Sequence, residues 1–241
     1  MFARRIERVD TLGASRAVPV ANSSEAAWVQ DASGRAWVIK WEENTGFQEL
    51  IAEALSWMIG DQIGVLQPRG AVFVDGSLRA WMSERVPNVV HWNASHAHLL
   101  TNADQLGAAL ALDAITLNED RHAGNILLQP NPDELHLKAF AIDSGDALIG
   151  RVDFHGSGLR VPTGRNLAPG IPLDLVSAGA MAAAVRAATL DRGEILEMVT
   201  EACDIARDPG RVPLEEALAH RLKHAPDLVA EYLAKLKSPQ R

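Results

Sequence analysis

The segment Asn118-Glu-Asp-Arg-His-Ala-Gly-Asn125 is a polar cluster between two apolar stretches of the chain. In the preceding residues 103–115, apolar side chains lie nearly all round a helical wheel, which is typical of a buried helix. The following Ile126-Leu-Leu128 predicts a short strand. The cluster is therefore expected to be a loop held between a buried helix and a strand, a common position for functional residues.

Three oxygen-bearing side chains in this region suit phosphoryl transfer. Asp120 and Asn125 lie five positions apart in the loop, and Asp143 ends another short strand eighteen positions later. Phosphoryl transfer needs a group that orients or deprotonates the acceptor hydroxyl, and oxygen ligands that hold Mg²⁺ against the phosphates. Asp120 can supply the first function, and Asn125 with Asp143 can supply the second.

A lysine and two glutamates upstream complement these ligands. Lys40 lies at the end of a predicted strand, where its charge could reach phosphates. Glu49 lies on the next predicted helix and could pair with Lys40, and Glu53, one turn further, is an alternative partner. Both glutamates lie opposite the apolar stripe of that helix, which predicts either a solvated face or a face that lines a wet cleft.

Other polar residues of the region have structural interpretations. Asp113, in the buried helix, is expected to be a satisfied buried group. Arg121 and His122 are expected to organise the loop through hydrogen bonds. Asp120 and Asn125 could themselves be loop-stabilising Asx groups, but their combination with the upstream lysine and the later aspartate favours the catalytic interpretation.

Periodicity and turn residues predict a β-rich first part and a helical last part. Hairpins are expected around Asp31-Ala-Ser-Gly34 and Asp75-Gly76. The helix between them is predicted to start near Asn44 or Thr45 and to have Gly60 near its end. Further along, the patterns predict strands at 126–128, 135–137 and 140–142, a loop at 145–172, and helices at roughly 173–190, 192–206, 213–225 and 226–237.

Composition narrows the class of protein. The 241 residues are 47% hydrophobic and 22% charged, as in a folded domain. The formal net charge of -8 disfavours nucleic acid or anionic membranes as partners. The single cysteine, Cys203, excludes a disulfide within the chain. We find no apolar run of about 18 residues and no secretory signal near Met1, so a cytoplasmic protein is expected.

Three motifs carry a resemblance to a known family. The segment from Asn118 to Leu127 resembles the catalytic loop of the HipA-like kinases, which the phosphatidylinositol 3-/4-kinases share in outline. Ala141-Ile-Asp-Ser-Gly145 is similar to the metal-binding segment that replaces the DFG of protein kinases, and Val38-Ile-Lys40 resembles the nucleotide-binding strand.

The resemblance implies an α+β, two-lobed protein-kinase-like fold. Residues 1–84 would form a β-rich nucleotide-binding lobe with one helix, and residues 85–241 a mostly helical catalytic lobe. It further implies a serine/threonine protein kinase that uses ATP and Mg²⁺ on a protein substrate, with an antitoxin-like or regulatory protein as a potential further partner. Glu84 and Val86, in the connector between the lobes, would then offer backbone groups to adenine.

The sequence departs from the family pattern at two places. Leu12-Gly-Ala-Ser-Arg16 lies where a Gly-rich connection would cover the phosphates, with Ser15 as the candidate contact, but it holds one glycine and suits a plain turn equally well. Ser144 replaces a more usual His after the metal-binding aspartate. No Walker-type motif occurs, which disfavours a P-loop nucleotidase.

Three alternative functions stay open. A pseudokinase or nucleotide-binding scaffold would account for the poor glycine loop. A metal-dependent hydrolase could use His91, His96 and His98, although their uneven spacing is more typical of surface residues. A phosphoinositide-type lipid kinase shares the loop pattern, but the chain lacks a basic membrane-facing stretch.

Overall fold

A computed structural model describes residues 6–13, 18–19, 26–131, 135–208 and 210–238. The first part contains a six-stranded sheet, with strands β1 (Glu7–Val9), β2 (Val18–Pro19), β3 (Ala26–Gln30), β4 (Ala36–Trp41), β5 (Gly70–Asp75) and β6 (Leu78–Glu84). Their order in the sheet is β1-β5-β6-β4-β3-β2, in which only the β1–β5 pair is parallel.

Both predicted hairpins are present, and Asp31 explains the first. Its Oδ1 accepts hydrogen bonds from the backbone of Ser33 and Arg35, while Oδ2 accepts one from the buried indole of Trp37. This one carboxylate fixes the turn and the following strand together. Burial tends to raise the pKa of Asp31, but these hydrogen bonds outweigh it and lower the pKa to about 2. The strand they support, β4, ends with Lys40 and Trp41.

The residues that cap the helix between the hairpins differ from those predicted. A short helix α1 (Glu42–Thr45) precedes α2 (Phe47–Ile63), and Gly46, at φ 87°, separates them without a side-chain cap from Asn44 or Thr45. Gly60 lies inside α2, where a β-carbon would clash with Gln67. The left-handed residue that ends the helix is Gly64, at φ 89°.

The second part is mainly helical, with one small sheet. A short strand β7 (Val90–His91) pairs with β8 (Ile126–Pro130), which pairs with β9 (Leu137–Ala141). The prediction of two strands at 135–137 and 140–142 was wrong. Alternate residues of β9 face the core, so a single strand pairs along the whole of β8. The helices are α3 (Ala103–Thr116), α4 (Leu173–Ala188), α5 (Arg192–Ala206), α6 (Arg211–Lys223) and α7 (Ala225–Lys237).

Helix α2 connects the sheet to the helical part, because it packs against α3, α4 and α5. A short 3₁₀ turn, Leu148–Gly150, also lies on it so closely that a β-carbon on Gly150 would clash with the backbone of Gln48. This turn follows Asp143 by a few residues, so the packing fixes the Asp143 segment beside α2. The predicted α+β architecture, β-rich first and helical afterwards, is confirmed.

Within the described residues, we find no single helix that is long and apolar enough to cross a membrane. Only α4 and α5 taken together meet that test, and they bend by 96° at the break between them.

Candidate active site

A buried ion pair holds the 118–125 loop. Arg121 and Asp113 are both about 1% exposed or less, and Arg121 Nη2 lies 2.8 Å from Asp113 Oδ1. Asn118 Nδ2 also donates to Asp113 Oδ1, at 2.9 Å. Burial alone would lower the pKa of Arg121, but the Asp113 carboxylate raises it above its ordinary value. Asp113 is therefore a satisfied buried group, as its sequence context predicts, and it fixes the loop to α3.

Arg121 also joins the loop to the strand that leads to Asp143. Its Nη1 donates to the carbonyls of Asn125, at 3.2 Å, and Ile142, at 2.5 Å. The N–H of Ile142 in turn donates to the carbonyl of Asn125, at 3.1 Å. These bonds bring Asn125 and Asp143, the two predicted metal ligands, onto adjacent backbone segments.

The carboxylate of Asp120 has a polar neighbour at each oxygen. Its side chain is 29% exposed, and Oδ2 lies 3.4 Å from Nε2 of His122. Nδ1 of His122 accepts the N–H of Gly124 at 2.9 Å, so Nε2 is the ring nitrogen that faces Asp120. Asn166 Nδ2 donates to Oδ1 at 3.2 Å. His122 thus organises the loop, as predicted, and also contacts Asp120.

Asn125 supports the same residue through the backbone. Its Nδ2 donates to the carbonyl of Asp120 at 2.8 Å, so its side-chain oxygen is the atom that could contact a cation. Asp120 N donates to the side chain of Asn118 at 3.0 Å. The spacing of five between Asp120 and Asn125 is therefore that of one compact turn.

Lys40 lies among three carboxylates. Its Nζ is 2.6 Å from Asp143 Oδ1, 3.0 Å from Glu53 Oε1 and 3.3 Å from Glu49 Oε1. Burial would lower the pKa of Lys40, but Glu53 and Asp143 raise it well above its ordinary value. Lys40 is thus a cation, with its charge at the end of β4 as the sequence predicts.

The two candidate partners of Lys40 have different surroundings. Glu53 is buried, and its second carboxylate oxygen accepts the N–H of Ser144 at 3.1 Å. Burial raises the pKa of Glu53, although Lys40 opposes the shift. Glu49 lies against Gly145, where a β-carbon would clash with its carboxylate. The segment 143–150 covers most of the face of α2 that carries both, since Glu53 is buried and the Glu49 side chain is 17% exposed.

Asp143 is strongly constrained. Its φ is 59°, a left-handed conformation that is uncommon outside glycine. Burial would raise the pKa of Asp143, but Lys40 lowers it below its ordinary value. The next residue, Ser144, is buried, and its backbone N–H donates to Glu53, which links the Asp143 segment to α2.

One group of carboxylates, which shares Asp143 with the predicted ligand pair, could hold a Mg²⁺ ion. Carboxylate oxygens of Glu49, Glu53 and Asp143 lie within 4.8 Å of one another, the one such group among the described residues. Magnesium prefers oxygen ligands, and three carboxylates facing one ammonium leave surplus negative charge for a cation. His91, His96 and His98 form no such group. His91 is exposed, with its ring 3.2 Å from the carbonyl of Gly124.

The connector residues line a cavity that is separate from the cluster of Lys40, Asp120 and Asp143. Glu84 and Val86 border a cavity of about 540 Å³, together with Trp57, Arg69 and Phe140. Lys40, Asp120 and Asp143 are absent from its lining. The backbone N–H of Glu84 donates to the carbonyl of Arg69 at 2.8 Å, so this N–H already has a hydrogen-bond partner within the protein. Adenine contacts by Glu84 and Val86 remain a prediction, and Ser15 lies outside the described residues.

The sequence matches no protein-family description and no curated protein. Among solved structures it is similar to the proinflammatory kinase CtkA of Helicobacter pylori, with a TM-score of 0.60 and 11% identity over 97% of this chain and 100% of that one. The protein has a kinase-like fold. HipA of Shewanella oneidensis, in a toxin–antitoxin complex with HipB and operator DNA, gives a TM-score of 0.43 and 11% identity over 93% of this chain and 61% of that one.

One contact at the site has no counterpart in the sequence analysis. Asn166 belongs to the stretch 145–172, which the sequence predicts only as a loop, and nothing in its local sequence indicates a contact with Asp120. The two residues are 46 positions apart. The contact depends on how the loop packs, and a single sequence carries no periodic signal for that.

Proposed function

We propose that the protein is an ATP- and Mg²⁺-dependent phosphotransferase of the serine/threonine protein kinase type. The observation that carries the proposal is the convergence of Lys40, Asp143, Asn125 and Asp120, from three separate parts of the chain, within a kinase-like fold. In this proposal, residues 1–84 form the nucleotide-binding lobe and residues 85–241 the catalytic lobe, with the protein acting in the cytoplasm.

In the proposed reaction, an acceptor hydroxyl oxygen bonds to the γ-phosphorus of ATP while the bond from that phosphorus to the β–γ bridging oxygen breaks. ADP leaves with the electron pair. Asp120 orients the hydroxyl and takes its proton on a carboxylate oxygen. Lys40 neutralises phosphate charge. Mg²⁺, held by Asn125 and Asp143, would supply further charge neutralisation when bound.

The class of acceptor is best tested on an added protein that exposes serine, threonine and tyrosine, because the chain itself offers its kinase site no accessible tyrosine. The protein contains one tyrosine, Tyr232, and it is about 1% exposed. If the chain phosphorylates itself in its folded state, the label should therefore appear on serine or threonine. A regulatory or antitoxin-like partner is an extension of this proposal and follows only from the sequence resemblance.

The deciding experiment combines labelled ATP, Mg²⁺ and the Asp120→Ala variant. The parent should label itself and an added protein that exposes serine, threonine and tyrosine, and phosphoamino-acid analysis of that added protein should find phosphoserine or phosphothreonine without phosphotyrosine. Asp120→Ala should bind ATP as the parent does but lose transfer by a factor on the order of 10² or more, because Asp120 acts in the transition state. A parent that binds Mg²⁺-ATP without any transfer would instead support the pseudokinase alternative.

A further inference from the structure

The long loop before α4 is fastened to the catalytic loop at three successive residues. The contacts involve residues 163–168 of this loop. Glu119 Oε2 accepts the N–H of Thr163 at 2.8 Å and its hydroxyl at 2.7 Å. Asn166 Nδ2 donates to Asp120 Oδ1 at 3.2 Å. The N–H of Ala168 donates to the carbonyl of Arg121 at 2.8 Å. The contact to Asp120 is therefore flanked on both sides by backbone hydrogen bonds.

Packing from the opposite side fixes the same segment. Gly164 has a φ of 73°, and a β-carbon there would clash with Leu236 of α7. Tyr232, one turn earlier on α7, also lies against Gly164. Ala168 is buried. The backbone around Asn166 is thus held between α7 and the catalytic loop, so the position of its side chain depends on the scaffold.

The two side chains beside the Asp120 carboxylate leave room for a third partner. His122 contacts Oδ2, and Asn166 contacts Oδ1. Each carboxylate oxygen accepts up to about two hydrogen bonds, and the side chain is 29% exposed. An acceptor hydroxyl could therefore still donate its proton to a carboxylate whose rotation is restrained.

We propose that Asn166 is a positioning residue for Asp120, whose amide fixes the carboxylate in the orientation that receives the acceptor proton. The inference rests on the proposed phosphotransferase function, because Asp120 needs orienting only if the chain transfers phosphate. Correct orientation of a catalytic group raises the rate of the chemical step. A small misplacement of that group therefore lowers the transfer rate without weakening substrate binding.

The test is a series at position 166, with labelled ATP and the chain as its own acceptor. Asn166→Ala removes the donor, Asn166→Asp replaces it with a like charge facing Asp120, and Asn166→His restores a ring N–H donor at similar reach. We expect the maximal transfer rate to fall roughly tenfold or more for Ala, further for Asp, and to recover partly for His. The half-saturating ATP concentration should stay unchanged, since no contact joins Asn166 to Lys40 or Asp143.

Asn93→Ala is the matched control. Asn93 is also an exposed asparagine with side-chain hydrogen bonds, but those go to Ser95. The inference would be overturned by equal transfer rates across the 166 series or by an Asn166→Ala variant faster than the parent. It would also be overturned if Asn93→Ala showed the same loss, or if the loss followed a lowered melting temperature. A parent chain without transfer would overturn the proposed function and this inference with it, whereas an active parent with an unaffected Asn166→Ala variant would overturn only the positioning role.

Discussion

Lys40 and Asp143 lie 103 positions apart in the chain, and their side chains form a 2.6 Å ion pair. The pair joins the end of β4 to the segment that follows β9. In the proposed function, both groups exchange this contact for others when nucleotide binds, with Lys40 on the phosphates and Asp143 on the metal. The ion pair would then hold the two groups in place until the ligand arrives.

Asp143→Asn should separate metal binding from fold stability. The variant keeps the shape of the side chain but removes a charged ligand, while Lys40 retains Glu53 and Glu49 as partners. We expect the affinity for Mg²⁺-ATP to fall roughly tenfold or more, equivalent to about 1.4 kcal/mol. Titration calorimetry with and without Mg²⁺ measures this. Asp146→Asn, at a more exposed carboxylate, is the control. Unchanged Mg²⁺-ATP affinity in Asp143→Asn would show that the metal assignment is wrong.

Glu53 should matter more than Glu49 for activity. Glu53 is buried and contacts both Lys40 and the backbone of Ser144, whereas Glu49 reaches Lys40 at 3.3 Å. Hydrogen bonds to charged groups contribute roughly 1.5–3 kcal/mol. Glu53→Gln should therefore reduce transfer by about tenfold or more, and Glu49→Gln by clearly less. Transfer rates of the two variants at saturating ATP decide the order, and a larger loss in Glu49→Gln would reverse the assignment.

Local patterns predicted most of the fold. The α5 limits coincide with the predicted 192–206, because Asp191 and Glu194 form a reciprocal cap that marks the start of an amphipathic pattern. The hairpin at Asp31 followed from its turn residues. Lys40, Asp120, Asn125 and Asp143 were proposed from motif and order along the chain, and the structure brings Lys40 to Asp143 and Asn125 to Asp120.

Contacts that form when a distant segment of the chain packs over a helix or loop could not be predicted from the sequence. Glu53 lies on the polar side of α2, yet it is buried because the 143–150 segment packs over that side. Periodicity describes one element and contains no information about what covers its other face. Asn166 was missed for the same reason, since its contact with Asp120 depends on a loop whose path is set by α7 and Glu119.

The hairpin turn at Asp31 should make stability depend on pH in the acid range. Its folded pKa is lowered to about 2 from 3.8, so the stabilisation is present above about pH 4 and is lost as the pH falls towards 2. Asp31→Ala should therefore unfold at a lower urea concentration than the parent at pH 7, and the difference should shrink between pH 4 and pH 2.5. Asp153→Ala, at an exposed carboxylate, is the control. A difference that stays constant across this range would show that the charge of Asp31 contributes nothing.

The Asp113–Arg121 pair should be the strongest single determinant of stability at the site. Both groups are buried, and Arg121 also holds the carbonyls of Asn125 and Ile142. Arg121→Met leaves the Asp113 carboxylate buried without its cation, so the free energy of unfolding should fall by about 3–5 kcal/mol. Adding Asp113→Leu removes the unpaired charge and should recover part of that loss, although transfer activity should stay low because the loop has lost its links to Asn125 and Ile142.

Arg211→Met, in an ion pair with Asp204 whose two side chains are 43% and 55% exposed, should cost about 0–1 kcal/mol and serves as the control. Urea unfolding of the parent, the two single variants at the Asp113–Arg121 pair and the double variant gives the coupling between them. Losses in the single variants that simply add in the double variant would show that the two side chains do not act as an ion pair.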